Sequence, residues 1–396
     1  MCLACRLESS CNIYKFPSGC FLSFRKKELS LHPIKIEQKV MEKIVIACDS
    51  YKGCLSSKEV NEALVVKDEE FVSLQMSDGG EGMLDAFLSA MGGERRMLHA
   101  HDALMRWIDA CYGVVRLPSG CIFREAETEK EVEVAIVEIA QTAGLGLIEP
   151  EQRNPMKATS WGVGEMIMHA YRHGIRHFIV GLGGSATSDC GIGMLKAMGD
   201  DWKKVRRDSH FVLASDVTNP LCGAHGAAHV FAPQKGADAA MVEMLDARAR
   251  KFAEVCKKHF SCDASEQPGA GAAGGLGYAF MQFFHAEFHS GADLLLDAVG
   301  FDRLIADAQL VITGEGHSDK QTLMGKLPMR ILQRAKGAAP VWLISGGVSD
   351  KEALLAAGFD RVIAVTPGDM PLEEAMRPEV AKGLLRKITE HEIYHF

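Results

Sequence analysis

Apolar runs along this chain repeatedly empty into turns rich in glycine and acid, and a helical pattern then follows. Lys43–Ala47 runs into Cys48-Asp49-Ser50-Tyr51-Lys52-Gly53, and Phe71–Met76 into Ser77-Asp78-Gly79-Gly80-Glu81-Gly82. Phe178–Val180 leads to Gly181, Gly183, Gly184, Ser185 and Asp189, with a helix predicted from Ile192. Leu310–Thr313 leads to Gly314-Glu315-Gly316-His317-Ser318-Asp319, and Ala339–Ser345 to Gly346-Gly347. Short apolar runs bounded by glycine predict buried strands, and their alternation with helical patterns predicts a parallel α/β sheet. Ser56 with Glu59, and Ser349 with Glu352, have capping-box spacing and predict helix starts.

Elsewhere the pattern is more mixed. Trp107–Leu117 alternates weakly and predicts an antiparallel strand, closed by the Pro118-Ser119-Gly120 turn. Glu127–Glu133 is a charge run, expected as a solvated hairpin or helix face. Glu165–His173 and Met241–His259 read as amphipathic helices, Val212–Ser215 as a strand, and Asp200–His210 as a charged surface connection. The small-residue stretch Gly269–Gly277 is open to three readings: a hinge, a close helix approach, or a second anion cradle. The architecture expected is a two-domain α/β fold. A Rossmann-like parallel-sheet domain is built from residues 41–77 plus 268–396, and a second α/β domain, 78–267, is inserted into it. Residues 1–40 lack periodicity and the features of a signal peptide, and are expected to lie outside the fold. A choice of start site would account for them; Cys2 and Cys5 leave a small metal-binding or tethering extension as the alternative.

Composition narrows the class of function. The net charge of −8 and pI of about 6.0 argue against a general nucleic-acid surface, so any anionic ligand needs locally placed cations. No apolar run approaches a membrane span, and the cysteines after the first twenty residues are scattered singly, as in reduced cytoplasmic proteins. The strand ends carry Asp49, Asp78, Glu81, Asp189, Glu315 and Asp319, which is hard to explain by packing. In open α/β sheets ligands bind outside the carboxyl ends of the strands, so these acids predict a site for a metal and an anion. The Gly183–Ser185 turn can cradle an anion at a helix start, or can be a tight packing turn. Lys52, Arg153, Lys235 and Lys326 flank such loops and can neutralise phosphate or carboxylate. The chain has no G-x-x-x-x-G-K-[ST] motif, no H-R-D or D-F-G pair, no G-x-S-x-G elbow and no H-E-x-x-H.

Taken together, these blocks resemble those of the bacterial glycerate kinase family, type I. The resemblance runs through Asp49–Gly53, Ser77–Gly82, Arg153-Asn154-Pro155, Gly181–Asp189, Asp216-Val217-Thr218-Asn219-Pro220, Pro233–Gly236 and Gly269–Gly277. It ends in Thr313–Gly316 with Asp319, Gln321, Thr322, Gly325 and Lys326, and covers nearly all of residues 41–396. Ser188 stands where the family usually has Asn, Cys190 where it has Gly, and His317 where Arg is common; residues 200–210 look like a shortened segment.

The resemblance implies Mg²⁺-assisted, ATP-dependent phosphorylation of D-glycerate, at the 2-hydroxyl, in an interdomain cleft of a cytoplasmic monomer or homodimer. Alternatives are a kinase for another small hydroxy acid, or a non-catalytic sensor on the same fold. On this reading Asp189 and Lys52 are catalytic, and Asp216 and Glu315 hold the metal. Asp49, Ser50, Asp78, Arg153, Gly183, Gly184, Ser185, Asn219, Lys235, His317, Gln321 and Lys326 bind substrate or phosphate.

Overall fold

The buried apolar runs pair into two main sheets. The computed structural model describes residues 43–65, 71–77, 79–123, 131–260 and 262–393. The expected extension 1–40, Asp78 and most of the 127–133 charge run lie outside the described residues. The first sheet holds β1 (Ile44–Ile46), β2 (Phe71–Ser73), β9 (Leu310–Thr313), β11 (Val341–Ser345) and β13 (Arg361–Ala364). All its pairings are parallel, in the order β13-β11-β9-β1-β2. Read in chain order within this sheet, that is the 2-1-3-4-5 winding of flavodoxin-like folds, whose switch point lies between β1 and β9. A small parallel pair, β10 (His317–Ser318) with β12 (Gly347–Val348), extends from the ends of β9 and β11.

The second sheet lies between β2 and β9 in sequence and runs β3-β4-β5-β6-β7-β8. Its strands are β3 (Glu94–His101), β4 (Trp107–Pro118), β5 (Glu131–Glu138), β6 (His177–Gly181), β7 (His210–Ala214) and β8 (Glu287–His289). The β3-β4-β5 pairings are antiparallel and the rest parallel. Because β8 pairs with β7, this sheet keeps the chain to His289, later than the boundary expected at Gln267. Residues 41–396 form one compact unit. The helices Met83–Met91 and Gly291–Ala298 contribute to a core that includes Val45 and Val311 of the first sheet with Ile136 and Val212 of the second.

Several local expectations change. Residues 131–133, expected as a solvated hairpin or helix face, begin β5: Glu131 and Glu133 are exposed, and the strand is buried throughout from Val134 to Glu138. Residues 200–210 are not a bare connection, since Trp202–Asp208 is a helix that buries Val205. Ser56 and Glu59 form both arms of a capping box. Ser349 does not; the N-cap there is Asp350 with φ 51°, and Ser349 pairs with His317 instead. No described helix is long and apolar enough to cross a membrane.

Candidate functional site

The loop after β1 is held from below by the first helix. Fully buried Asn61, on the Ser57–Leu64 helix, accepts from the Cys48 amide (3.2 Å) and donates to the Leu74 carbonyl (2.7 Å). The Ser57 hydroxyl donates to the Cys48 carbonyl (2.6 Å) and accepts from the Met76 amide (2.8 Å). Two side chains of one helix thus tie the ends of β1 and β2 together and fix where the chain turns at Asp49. Tyr51 turns inward and donates to the Ile344 carbonyl (2.9 Å), which leaves Asp49, Ser50 and Lys52 on the open side.

The loop after β9 is organised by Glu315, which is nearly buried. Its Oε1 accepts from Thr322 Oγ1 (2.6 Å) and Ser318 Oγ (3.1 Å), and its Oε2 from Lys326 Nζ (3.1 Å). Ser318 Oγ lies 2.7 Å from Ser345 Oγ at the end of β11, so the network spans two strand ends. A buried carboxylate with these donors anchors Lys326, whose own side chain remains partly exposed. His317 Nε2 lies 3.0 Å from Ser349 Oγ.

These loops surround a cavity of about 570 Å³. Asp49, Ser50, Lys52, Glu315, His317 and Lys326 line it from the first sheet, and Asp216, just after β7, lines it from the second. An apolar part of the lining comes from residues 365–381, including Val365, Met370, Leu372 and Met376. The site therefore sits at the switch point, and the carboxylates of Asp49, Asp216 and Glu315 share one lining with the ammonium groups of Lys52 and Lys326. Reading the sequence alone missed Asn61, Ser57 and the apolar wall. The wall follows β13 as Thr366-Pro367-Gly368-Asp369-Met370-Pro371, and only its run of turn residues with methionine marks it.

Other expected site residues lie off this cavity and are hydrogen-bonded within the protein. Asp189 Oδ2 accepts from Thr159 Oγ1 (3.3 Å), the Ser160 amide (2.8 Å) and hydroxyl (2.9 Å), and the Gly193 amide (3.0 Å). Its Oδ1 accepts from the Gly191 amide (3.1 Å). The carboxylate thus holds the start of the Ile192–Met198 helix and pins it to the 159–160 segment, with Oδ2 crowded by four donors. Ser185 is buried and accepts from the Thr187 amide (3.1 Å), closing a local turn. Lys235 is buried too; its Nζ donates to the Thr187 carbonyl (2.6 Å) and approaches Ser185 Oγ (3.4 Å). Loss of solvation lowers its pKa to about 7.

Gly183 donates to the Gly79 carbonyl (3.2 Å), and Gly184, with φ 70°, accepts from the Leu145 amide (2.7 Å). Arg153 donates to the Ile148 carbonyl (3.3 Å), and Asn219 Nδ2 to the His225 carbonyl (2.8 Å). Gln321 is exposed in the turn after Asp319. None of Asp189, Arg153, Gly183, Gly184, Ser185, Asn219, Lys235 or Gln321 lines the cavity. Of the three readings of Gly269–Gly277, close approach fits: a Cβ at Gly274 would strike the Thr187 carbonyl, and one at Gly271 the Pro220 carbonyl.

The donor set can be tested for a magnesium ion. Among the described residues no three His, Cys, Asp or Glu side chains are grouped to hold a metal. Mg²⁺ in phosphoryl-transfer sites needs only one or two carboxylates, with substrate phosphates and water completing its shell. Asp49 and Asp216, on the same cavity as Lys52 and Lys326, meet that requirement. Glu315 is a poorer candidate, because both its oxygens already accept protein hydrogen bonds.

The comparisons with known proteins agree with the expected family. The model of the glycerate kinase family matches residues 44–207 and 200–394, and the two matches meet in the segment that looked shortened. A protein of Bacillus cereus named glycerate kinase is 37% identical over 369 residues, covering 85% of this chain and 93% of the relative. One of Escherichia coli K12 named glycerate 2-kinase is 36% identical, with the same coverage of each. A crystal structure of a protein provisionally called glycerate kinase 2, from Salmonella typhimurium LT2, superposes with a TM-score of 0.71 at 34% identity. That superposition covers 89% of this chain and 99% of the other.

Proposed function

The chain belongs to the glycerate kinase family, and from that premise we propose that it moves the γ-phosphoryl group of ATP to the 2-hydroxyl of D-glycerate. One observation carries this reading. Lys52, Lys326, Asp49 and Asp216 line one cavity at the switch point of a doubly wound sheet. Phosphoryl transfer asks mainly for positioning and charge neutralisation, which paired lysines and carboxylates supply.

The residues divide by their sheet. Lys52 and Lys326 neutralise the phosphate oxygens, and Glu315 keeps the Lys326 ammonium in place. Asp216, which enters from the second sheet, orients the glycerate hydroxyl and accepts its proton as the new P–O bond forms and ADP leaves. This role passes to Asp216 because the Asp189 carboxylate is committed to five donors. Asp49 is the carboxylate assigned to Mg²⁺, and Asp216 lines the same cavity. When bound, the ion would offset charge on the transferring phosphoryl group. His317, at the cavity edge, contacts the substrate carboxylate.

The test is a coupled ADP-release assay on the full chain with ATP, Mg²⁺ and D-glycerate, the product being resolved as 2- or 3-phosphoglycerate. Turnover to 2-phosphoglycerate supports the reading, and 3-phosphoglycerate overturns the regiochemistry. Turnover only with another hydroxy acid, or none from a folded chain, overturns the substrate assignment.

A further inference from the structure

We propose that the apolar wall contributed by residues 365–381 is the nucleobase subsite, and that it discriminates weakly among nucleobases. The proposal rests on the kinase reading above and adds where the nucleotide's base lies and how it is selected. The cavity, at about 570 Å³, is of the size that holds cofactor-scale ligands and is far larger than a three-carbon acid needs. Its charged groups gather at the strand ends, while Val365, Met370, Leu372, Ala375 and Met376 add methyl, thioether and aliphatic surface to the same lining. Leu372 is 73% and Met376 39% exposed, so neither serves the core of the protein on its own. Both nevertheless face the cavity. A planar base laid on that wall, with its phosphates reaching Lys52 and Lys326, would use both the apolar and the charged parts of one lining.

The weak selectivity follows from where the hydrogen-bond donors go. The amides of Val365 and Thr366 donate to the carbonyls of Ser345 and Gly346, and those of Gly346 and Gly347 to the carbonyls of Glu315 and Gly316. The amides of Met370, Ala375 and Met376 are likewise used within the 367–376 segment. The charged residues of 365–381, Asp369, Glu373, Glu374, Arg377 and Glu379, do not line the cavity. Among the lining side chains of the wall, Thr366 alone carries a hydrogen-bonding group. Strong rejection of a wrong base requires buried polar groups that the wrong base leaves unpaired, and among the side chains of this wall only Thr366 offers one. Methionine surfaces adapt to different planar partners, which favours tolerance further.

The experiment is calorimetric titration of the full chain, with Mg²⁺ present, using ATP, GTP and inorganic tripolyphosphate. The wild type is compared with a Leu372→Ser/Met376→Ser variant; both side chains are exposed, and an unchanged Tm verifies the fold. GTP should bind within about 200-fold of ATP, the range a hydrophobic site can discriminate. The variant should weaken ATP and GTP alike by about tenfold or more, as expected for lost apolar contact, while tripolyphosphate binding stays the same.

Unchanged ATP affinity in the variant overturns the base site, and so does an ATP preference of about 10⁴ or more, the mark of a hydrogen-bonding site. Turnover measured in parallel separates the two readings. Glycerate phosphorylation with unaltered ATP affinity in the variant sinks the base site alone. ATP bound through the wall without phosphorylation of any hydroxy acid supports the base site and sinks the kinase reading.

Discussion

The Lys235 ammonium lies 2.6 Å from the Thr187 carbonyl oxygen, inside the protein, on the concealed side of the turn expected to cradle phosphate. The contact turns a presumed ligand group into an internal strut and gives the fold a proton-linked cost. Burial disfavours the charged amine and brings its pKa down from 10.5 to about 7. Between these values the unfolded chain binds the proton and the folded chain does not, so stability attributable to Lys235 rises with pH. Below about pH 7 the folded state carries the full cost of the buried charge. Urea denaturation from pH 7 to 10 should show the wild type gaining on a Lys235→Met variant, by on the order of 2 to 4 kcal/mol. A flat difference across that range would show that Lys235 stays charged when folded.

Glu315 and Lys326 act as a pair. Lys326→Met should lower kcat about 10²- to 10³-fold, as loss of a charge-stabilising group does, and should also lower Tm, because the nearly buried Glu315 carboxylate loses its cation. Glu315→Gln should lower kcat as well, since it releases Lys326. The double variant should be little worse than Lys326→Met alone, a non-additivity that kinetic measurement of all three reads directly.

Asp189 and Asp216 should separate by the kind of damage they do. Asp189→Asn removes acceptors from a network of five donors, and should cost about 2 kcal/mol of stability in denaturant titration. Asp216→Asn, at an exposed position, should shift the denaturation midpoint less than Asp189→Asn does and lower kcat by about 10² or more. The reverse pattern, with Asp189→Asn stable and inactive, would return the catalytic role to Asp189.

Gly314 has no room for a side chain. A Cβ there would strike the Ile344 carbonyl between the ends of β9 and β11, where backbone cannot yield. Gly314→Ala should cost about 3 kcal/mol or more, seen as a lowered denaturation midpoint or loss of soluble protein. Gly82→Ala has open space, so its cost should be limited to the strain of its positive φ, about 1 kcal/mol.

What the sequence determined by itself is the periodic and local part. Apolar runs ending in glycine turns are legible because burial of a parallel strand requires a continuous apolar stretch, and Ile44–Ile46, Leu310–Thr313 and Val341–Ser345 are all strands. The cavity acids and lysines Asp49, Lys52, Asp216, Glu315 and Lys326 were also visible, since the carboxyl ends of such strands converge whatever the details of packing. Strand β3, with charges at Glu94, Arg95 and Arg96 on a sheet edge, was not legible, because an edge strand needs no continuous apolar run.

Only the tertiary structure decided which way each side chain turns. Asp49 and Asp189 both follow a strand and precede a helix. One faces the cavity; the other meets Thr159, Ser160 and Gly193 from segments that sequence spacing cannot bring near. The same holds for Lys326 and Lys235, one partly open beside Glu315 and the other buried against Thr187. Local pattern records which groups a turn carries. Whether a group meets solvent, a ligand or a backbone carbonyl depends on the long-range packing of elements against that turn, and a buried polar group takes whichever partner the packing provides.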